Sequence, residues 1–535
     1  MIKGYKYIMY ICFAMVLALN SPNARAQDKM SKADKAVKKE ADYYFSYTDY
    51  KSAIDLYKKL LERGYDSPEL QYKMGVCILR TLSDREGASP YFFKAGEGNH
   101  EEAFFYLAQW YHLQEEFTKA KECYKRYALL KVNKRLHKED MGHYIESCNF
   151  AENMIDYPKD VTIENMGDNI NSEHSEYVPV ISMDESTLIF TSRRPGSTGG
   201  KLDPLGIPYE DIYIAEQGEE KWGKPELIGS NINTDNHDAS VGLSADGFTL
   251  ITYKTNEAGT GGDLYWSLLD GEAWQEPTKF PEGINSEYQE TSASYSSGMT
   301  EMYFSSNRPG GFGGIDIYSV KKLPNGEWGK VINLGPSINT IYNDDAPFIH
   351  PDNKTLFFSS AGHGTMGGYD IFKSTLKDDG TWEMADNLGY PINTTDDDIY
   401  FVLSADGKRG YLSSGRKGGY GEQDLYLVHL TDEVGKLTVV KGVLRIAEDD
   451  TTLVPFGAVI TIIDAETQSL QGVYRSNSST GKYLICVPPG KKYKMEVVIQ
   501  GYEPFIRDWY FDYDAGFKII HRPIDITSRI EDNPK

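Results

Sequence analysis

Cysteine is scarce, with five among 535 residues. The four beyond the N-terminal stretch are Cys77, Cys123, Cys148 and Cys486, and no CxxC or Cys/His spacing joins them, which excludes a zinc module. An oxidising compartment would permit one disulfide among the first three. Cys77 and Cys123 sit at helix-core positions, however, and a buried thiol packs there as a small hydrophobe. Beyond the first 20 residues there is no long apolar run, which excludes an integral helical membrane protein. Positive charge is also short: 56 Lys and Arg face 79 Asp and Glu, for a formal net charge of −23. Nucleic-acid phosphates need cations, so DNA and RNA are excluded as partners. G-x-S-x-G, H-E-x-x-H and P-loop motifs are all missing, so the expectation is of a chain that is not an enzyme.

What is present begins with an export signal. Lys3 and Lys6 precede an apolar stretch over 8–19, and Ala24-Arg25-Ala26 supplies a small-x-small cleavage site before Gln27. Cys12 has no lipobox before it, so lipidation is not expected. The acidity is local. Residues 27–150 carry net +1, residues 151–430 net −25 and residues 431–535 net −2. Such a field repels lipid phosphates and attracts cations or a basic partner.

Three periodicities follow. Over 27–155 apolar residues recur at helical spacing. Ala41, Gly75 and Ala108 are followed three residues later by Tyr44, Ile78 and Tyr111, and Ala53 and Ala120 are followed by Tyr57 and Tyr124. Small residues there let paired helices approach, as in tetratricopeptide repeats. Over 156–432 the tripeptide Asp-[Ile/Leu]-[Tyr/Phe] starts at Asp211, Asp263, Asp316, Asp370 and Asp424. Trp222, Trp274, Trp328 and Trp382 follow the first four, and Ile-Asn pairs recur at Asn171, Asn233, Asn285, Asn339 and Asn393. The spacing of 52 to 54 between the aspartates holds about four short strands, the size of a propeller blade. The first fourth-strand copy precedes blade one. The count therefore predicts a five-bladed ring in which that N-terminal strand completes the last blade. Over 436–525 a period of two with regular turns predicts a small β-sandwich, and 526–535 reads as a tail. The expected fold class is thus multidomain α + β: helical repeats, a five-bladed β-propeller and a transthyretin-like β-sandwich.

Candidate sites are few. One aspartate per blade reads as a turn-fixing carboxylate that accepts backbone N–H bonds, with Arg194 and Arg308 as ion-pair partners. The four Trp read as blade core. Asp344 and Asp345, and Asp396, Asp397 and Asp398, lie in equivalent places after Ile-Asn-Thr, with Asn236 and Asp238 similarly placed earlier. Their oxygens suit calcium, although the spacing matches no EF-hand loop. His174, His237, His350, His363 and His429 share no spacing that would bring them to a common axis.

With these motifs in place the chain resembles a Bacteroidetes-type periplasmic architecture of tetratricopeptide repeats, PD40 (WD40-like, TolB-like) propeller and carboxypeptidase-regulatory-like domain. The propeller resemblance rests on units such as Tyr303 to Gly311 followed by Gly313-Gly314-Ile315-Asp316-Ile317-Tyr318. The sandwich resemblance rests on Lys441-Gly442-Val443, Gly457-Ala458-Val459, Thr480 to Tyr483, Pro489-Gly490-Lys491 and Gly501-Tyr502. Relatives of this order include an OmpA-family component of type IX secretion, whose peptidoglycan-binding domain has no counterpart here. The resemblance implies a non-enzymatic periplasmic scaffold associated with the outer membrane, its partner a PorP/SprF-type barrel or secretion-complex protein, with no direct peptidoglycan binding and no cofactor. The alternative is a glycan- or calcium-binding module acting through the acidic propeller face.

Overall fold

The computed structural model describes residues 30–81, 85–138, 140–203, 206–219, 221–255, 261–431, 437–448, 452–512 and 518–528. The export signal at 1–26 and residues 529–535 of the expected tail lie outside the described residues.

Five antiparallel sheets form around one axis as β-propeller blades, four of them four-stranded and that of blade 2 carrying a fifth short strand at Ala273–Trp274. In blade 1 the strands are Glu176–Ile181, Thr187–Ser192, Asp211–Glu216 and Glu226–Leu227. The first strands of blades 2 to 5 are Asp238–Leu243, Glu290–Tyr295, Asp344–Ile349 and Asp398–Leu403. Blade 5 takes its outer strand from far upstream: Val161–Asn165 pairs with Asp424–Leu430, from Val161 opposite Leu430 to Asn165 opposite Tyr426. This pairing joins the two ends of the ring and covers an edge that would otherwise be exposed.

The recurring residues explain the period. Each Ile-Asn asparagine clamps the backbone of a third strand through its side-chain amide. Asn339 Oδ1 accepts from Ile317 N at 2.8 Å, and its Nδ2 donates to Ile317 O at 2.9 Å. Asn233, Asn285 and Asn393 do the same to Ile212, Leu264 and Ile371. Asn171 clamps Leu425 of blade 5, so the closure is tied by side chain as well as by ladder. Every first strand carries a register shift near its middle. At Val178, Ala346 and Tyr400 the bulge takes a positive φ of 50°, 52° and 63°, a strained region for residues with a Cβ.

Seven α-helices precede the ring: α1 Lys32–Ser46, α2 Tyr50–Glu62, α3 Pro68–Arg80, α4 Ser89–Glu97, α5 Ala103–Leu113, α6 Phe117–Ala128 and α7 Met141–Asp156. Ser31, Asp49 and Ser67 cap the first three by accepting N–H bonds from the first turn. Fully buried Ala41, Ala53, Ala108 and Ala120 let neighbouring helices approach. Gly75 has no room for more: a Cβ there would lie 2.7 Å from the ring of Phe92.

Among the described residues β structure predominates, with 36% in strands against 21% in helices. This corrects the expected fold class, in which helical tetratricopeptide repeats stood as a major component. The helices are a minority, although α1 packs with α2, α3 with α4 and α5 with α6, and α7 lies against α6. A short 3₁₀ turn at Arg85–Ala88 and a nine-residue α4 make the second pair shorter than the others. The local spacing of small and aromatic residues describes these hairpins and not the share of the chain they make up.

After the ring, two sheets pack face to face. One is built on Thr438–Ala447 paired with Lys482–Val487, and the other runs Leu470–Arg475, Val459–Asp464, Lys492–Val497, Phe505–Tyr510. Trp509, Tyr474 and Tyr493 fill the space between them. Cys77, Cys123, Cys148 and Cys486 are all free thiols. Burial pushes Cys77 and Cys148 up to about 12, which makes them inert at neutral pH.

Candidate functional site: a cleft between helices and propeller

The helices rest on loops at one end of the ring, around blades 4 and 5. Met366 is fully buried in the helical core. His112 Nε2 lies 2.7 Å from Met366 O. Burial lowers the His112 pKa, so the ring is neutral and Nε2 carries the proton to the carbonyl. Nδ1 is then free to accept from the Cys148 thiol, 3.3 Å away. His143 stacks on Tyr342 with ring centroids 4.1 Å apart.

Between these contacts an open cleft of about 500 Å³ remains. Arg80, Arg85 and Gln109 reach it from the helices, and Asp396 and Asp397 from the turn before the first strand of blade 5. Tyr144 and Tyr342 add aromatic surface. Arg85 pairs with Asp396, 311 residues away in sequence. Burial outweighs that attraction and pushes Asp396 up to about 6. Asp397 accepts from Tyr369 N at 2.9 Å. The protein packed around its carboxyl raises its pKa, while its exposed edge keeps contact with water in the cleft. Arg85 Nε is buried and has no hydrogen-bond partner among the described residues. A buried unpaired donor is costly, and a ligand acceptor would relieve it.

The other acidic candidates do not join this group. Asp344 accepts from Thr340 N at 2.5 Å and from the Ser360 hydroxyl at 2.5 Å. Asp398 accepts from Thr394 N and from Arg416, both at 2.6 Å. Asp345 is held by the hydroxyls of Ser292 and Thr291 at 2.7 and 3.0 Å. Among the described residues no group of three or more His, Cys, Asp or Glu is arranged to hold a metal ion.

The per-blade aspartates hold turns. Asp316 accepts from Phe312 N and Gly313 N at 2.6 and 2.9 Å, and Asp424 from Tyr420 N and Gly421 N at 2.6 and 2.9 Å. Asp211 accepts from Thr198 N, and Asp370 from Met366 N. Burial pushes Asp211 up to about 6 and Asp370 up to about 8. Asp263 pairs instead with Lys279 at 2.8 Å.

Arg194 and Arg308 do not pair with these aspartates. They bind Glu176 and Glu290 at 3.1 and 3.0 Å. Those residues belong to a second carboxylate set, Glu176, Asp238, Glu290, Asp344 and Asp398, one at the start of every first strand, each at most 1% exposed. Asp238, Asp344 and Asp398 are among the cation candidates named from the sequence, while Glu176, Glu290 and the shared role were missed. Each of the five accepts the backbone N–H of the Ser or Thr four residues earlier. The signal was available as Asn-[Ser/Thr]-x-x-x-[Asp/Glu], repeated five times.

Trp274 and Trp382 are buried at 6% and 8% exposure, while Trp222 and Trp328 are half-buried. The five blade histidines do not converge. His350 is beside Asp352, His363 reaches Ile338 O, and His237 and His429 face Glu210 and Glu164; His174 lies beside Glu173. The ring axis itself is lined by apolar residues such as Val180, Ala293 and Phe401.

No protein-family model matches the chain. No curated protein sequence matches it either. Solved structures do show a likeness. An endo-arabinase from Bacteroides thetaiotaomicron is 14% identical, with a TM-score of 0.34, covering 52% of this chain and 100% of that one. An alpha-L-arabinofuranosidase from Lactobacillus brevis is 12% identical, with a TM-score of 0.33 and coverage of 49% and 91%. A protein described as a glycoside hydrolase is 9% identical, with a TM-score of 0.39 and coverage of 54% and 96%. At these values no residue correspondence is drawn. The expected membership of the tetratricopeptide/PD40/type IX secretion group is corrected, because no protein-family model matches the chain. The expected non-enzymatic secretion scaffold is corrected with it, since it rested on that membership.

Proposed function

We propose that the chain recognises a carbohydrate in the helix–propeller cleft. The observation that carries this reading is the buried, unpartnered Arg85 Nε beside Asp396 and Asp397 in a cavity of about 500 Å³. Sugar hydroxyls both donate and accept, so they need guanidinium, amide and carboxylate groups converging beside an aromatic face. Arg80, Gln109, Asp397 and Tyr342 supply that mixture. Calorimetry of the chain without its signal segment against a panel of oligosaccharides tests the reading. Saturable binding that Arg85→Ala and Asp397→Asn each weaken supports it; heat-silent titrations across the panel refute it.

A second reading is glycosidic-bond cleavage in the same cleft. It is favoured by two neighbouring carboxyls with raised pKa values, since a carboxyl titrating near 6 can be a general acid near neutral pH. Release of reducing ends that Asp396→Asn abolishes would establish it. On the export signal we also propose a periplasmic location, which fractionation of tagged protein would check.

A further inference from the structure

We propose a second carbohydrate site, independent of the helix–propeller cleft, in the seam where blade 5 meets blade 1. The seam holds a cavity of about 620 Å³ lined by Trp222, Tyr411, Glu185, Arg409, Gln217 and Lys221, a size suited to a ligand of a few rings.

Departures from the internal repeat carry the argument. Trp222, Trp274 and Trp382 each touch the preceding blade. At the seams of blades 1 with 2 and 3 with 4, Trp274 and Trp382 are covered, at 6% and 8% exposure. Trp328 is half-buried, but it stacks on Tyr295 at 6.3 Å and carries Lys322 over its ring at 5.4 Å. Trp222 is half-buried too, and its ring contact is edge-on to Tyr411, at 6.5 Å and 78°. Its backbone is fixed by Asn169, whose amide donates to Trp222 O at 2.5 Å and Gly223 O at 3.1 Å. A held, half-buried indole that lines a cavity is a platform for the C–H face of a sugar ring.

The polar rim departs from the repeat in the same place. The turn between first and second strands needs a left-handed residue in every blade. Gly247, Met299, Asn353 and Gly407 fill it at φ 79°, 52°, 58° and 69°. Blade 1 places Glu185 there, at φ 54°. Its carboxylate is held by Arg409 Nε at 2.8 Å and by the Tyr411 hydroxyl at 2.7 Å, both from blade 5. The neighbouring Asp184 is paired with Lys441 of the sandwich. Asp184 and Glu185 are matched by cations, and Glu164 and Asp168 line the same cavity, so carboxylates outnumber the cations Arg409 and Lys221 in its lining. That selects a neutral oligosaccharide over a sulfated or uronic-acid chain. Gln217 and Lys221 are exposed at the mouth and complete the set.

Fluorine NMR on protein carrying 5-fluorotryptophan tests this. The chain has 7 Trp, so Trp222→Phe assigns the Trp222 resonance. The probes are cellopentaose, xylopentaose and chitopentaose, each taken to about 10 mM to reach weak affinities. At least one should shift the Trp222 resonance saturably. That shift should persist in Asp397→Asn, and the rim variant Gln217→Ala/Lys221→Ala should weaken the binding about threefold to tenfold. The rim variant alters only exposed side chains, so it tests the site even if a Trp222 variant folds poorly. A Trp222 resonance unmoved by all three sugars overturns the proposal. So does a shift abolished by Asp397→Asn, which would trace it to the helix–propeller cleft.

Discussion

The two ends of the ring are joined to their neighbours by different physics. At the sandwich end, Met183 and Ala405 of the propeller pack with Leu437, Val439, Leu484 and Cys486, all buried. Polar groups meet there too: Asp246 accepts Arg475 N at 2.9 Å, the Ser297 hydroxyl donates to Gln471 O at 2.8 Å, Lys441 pairs with Asp184, and Arg475 Nε is buried without a partner among the described residues. At the helix end, charged side chains meet across an open cleft, two carboxyls have raised pKa values and one guanidinium nitrogen is unpaired. Polar groups of this kind occur at both ends, so what separates them is the continuous apolar seam on one side and the open cleft of about 500 Å³ on the other. The difference teaches that the sandwich is fastened to the ring by apolar contact, whereas the helices leave room between themselves and the ring.

The largest expected effect comes from the carboxylates at the helix end. Asp398→Ala strands the Arg416 side chain, which is only 12% exposed. Breaking a buried pair from one side costs about 3–5 kcal/mol. Urea denaturation should show the midpoint falling accordingly. A loss below about 1 kcal/mol would mean that solvent reaches the pair and the contrast between the ends is weaker than drawn.

At the sandwich end the sharpening experiment is Leu484→Ala. Leu484 is 6% exposed and packs at the junction. A large-to-small change there costs about 2–4 kcal/mol. Carbohydrate affinity should stay unchanged, because the junction is at the far end of the ring from the cleft. A parallel loss of binding would show that the two ends are coupled.

The third test uses pH. Folding raises the Asp396 pKa from 3.8 to about 6. Its contribution is therefore fully present below 3.8 and is lost as the pH climbs through 6. His112 and His143 run the other way: their lowered pKa values give stability that is present above 6.5 and lost as the pH falls through the depressed values. The wild type and Asp396→Asn share these histidines, so comparing the two isolates the carboxyl. Relative to the variant, the wild type should lose about 1–2 kcal/mol between pH 4 and 7, allowing for screening by cleft water. Thermal midpoints at four pH values would read this. A difference independent of pH would place the Asp396 pKa near its ordinary value.

How much of this was legible depends on sequence distance. The marks spaced by 52 to 54 residues fall one to a sheet, because a blade is built from consecutive strands and its turn residues sit close to the strands they orient. The second carboxylate set was equally local, four residues from its Ser or Thr, and was missed as a set only because mixed Asp and Glu hide the repeat. The helical repeats were given too much weight because small residues at helical spacing describe local pairs of helices and do not show how much of the described chain is strand. The cleft was beyond reach. Arg85 and Asp396 meet only when the helices dock on the ring, and no local pattern encodes a contact 311 residues apart.

The smallest expected effect separates residues that the sequence makes look identical. Asp263 and Asp316 occupy the same place in the repeat. Asp316 is 1% exposed and accepts from Phe312 N, Gly313 N and Asn333 Nδ2. Asp263 has a side chain 22% exposed, and its partner Lys279 is 52% exposed. An exposed pair contributes about 0–1 kcal/mol, whereas buried N–H groups stripped of their acceptor cost about 1–3 kcal/mol each. Asp263→Ala should therefore shift the unfolding midpoint barely beyond error, while Asp316→Ala shifts it clearly. Equal losses would show that the repeat position, rather than its burial, sets the cost, and the ring would then be more uniform than its seams and ends suggest.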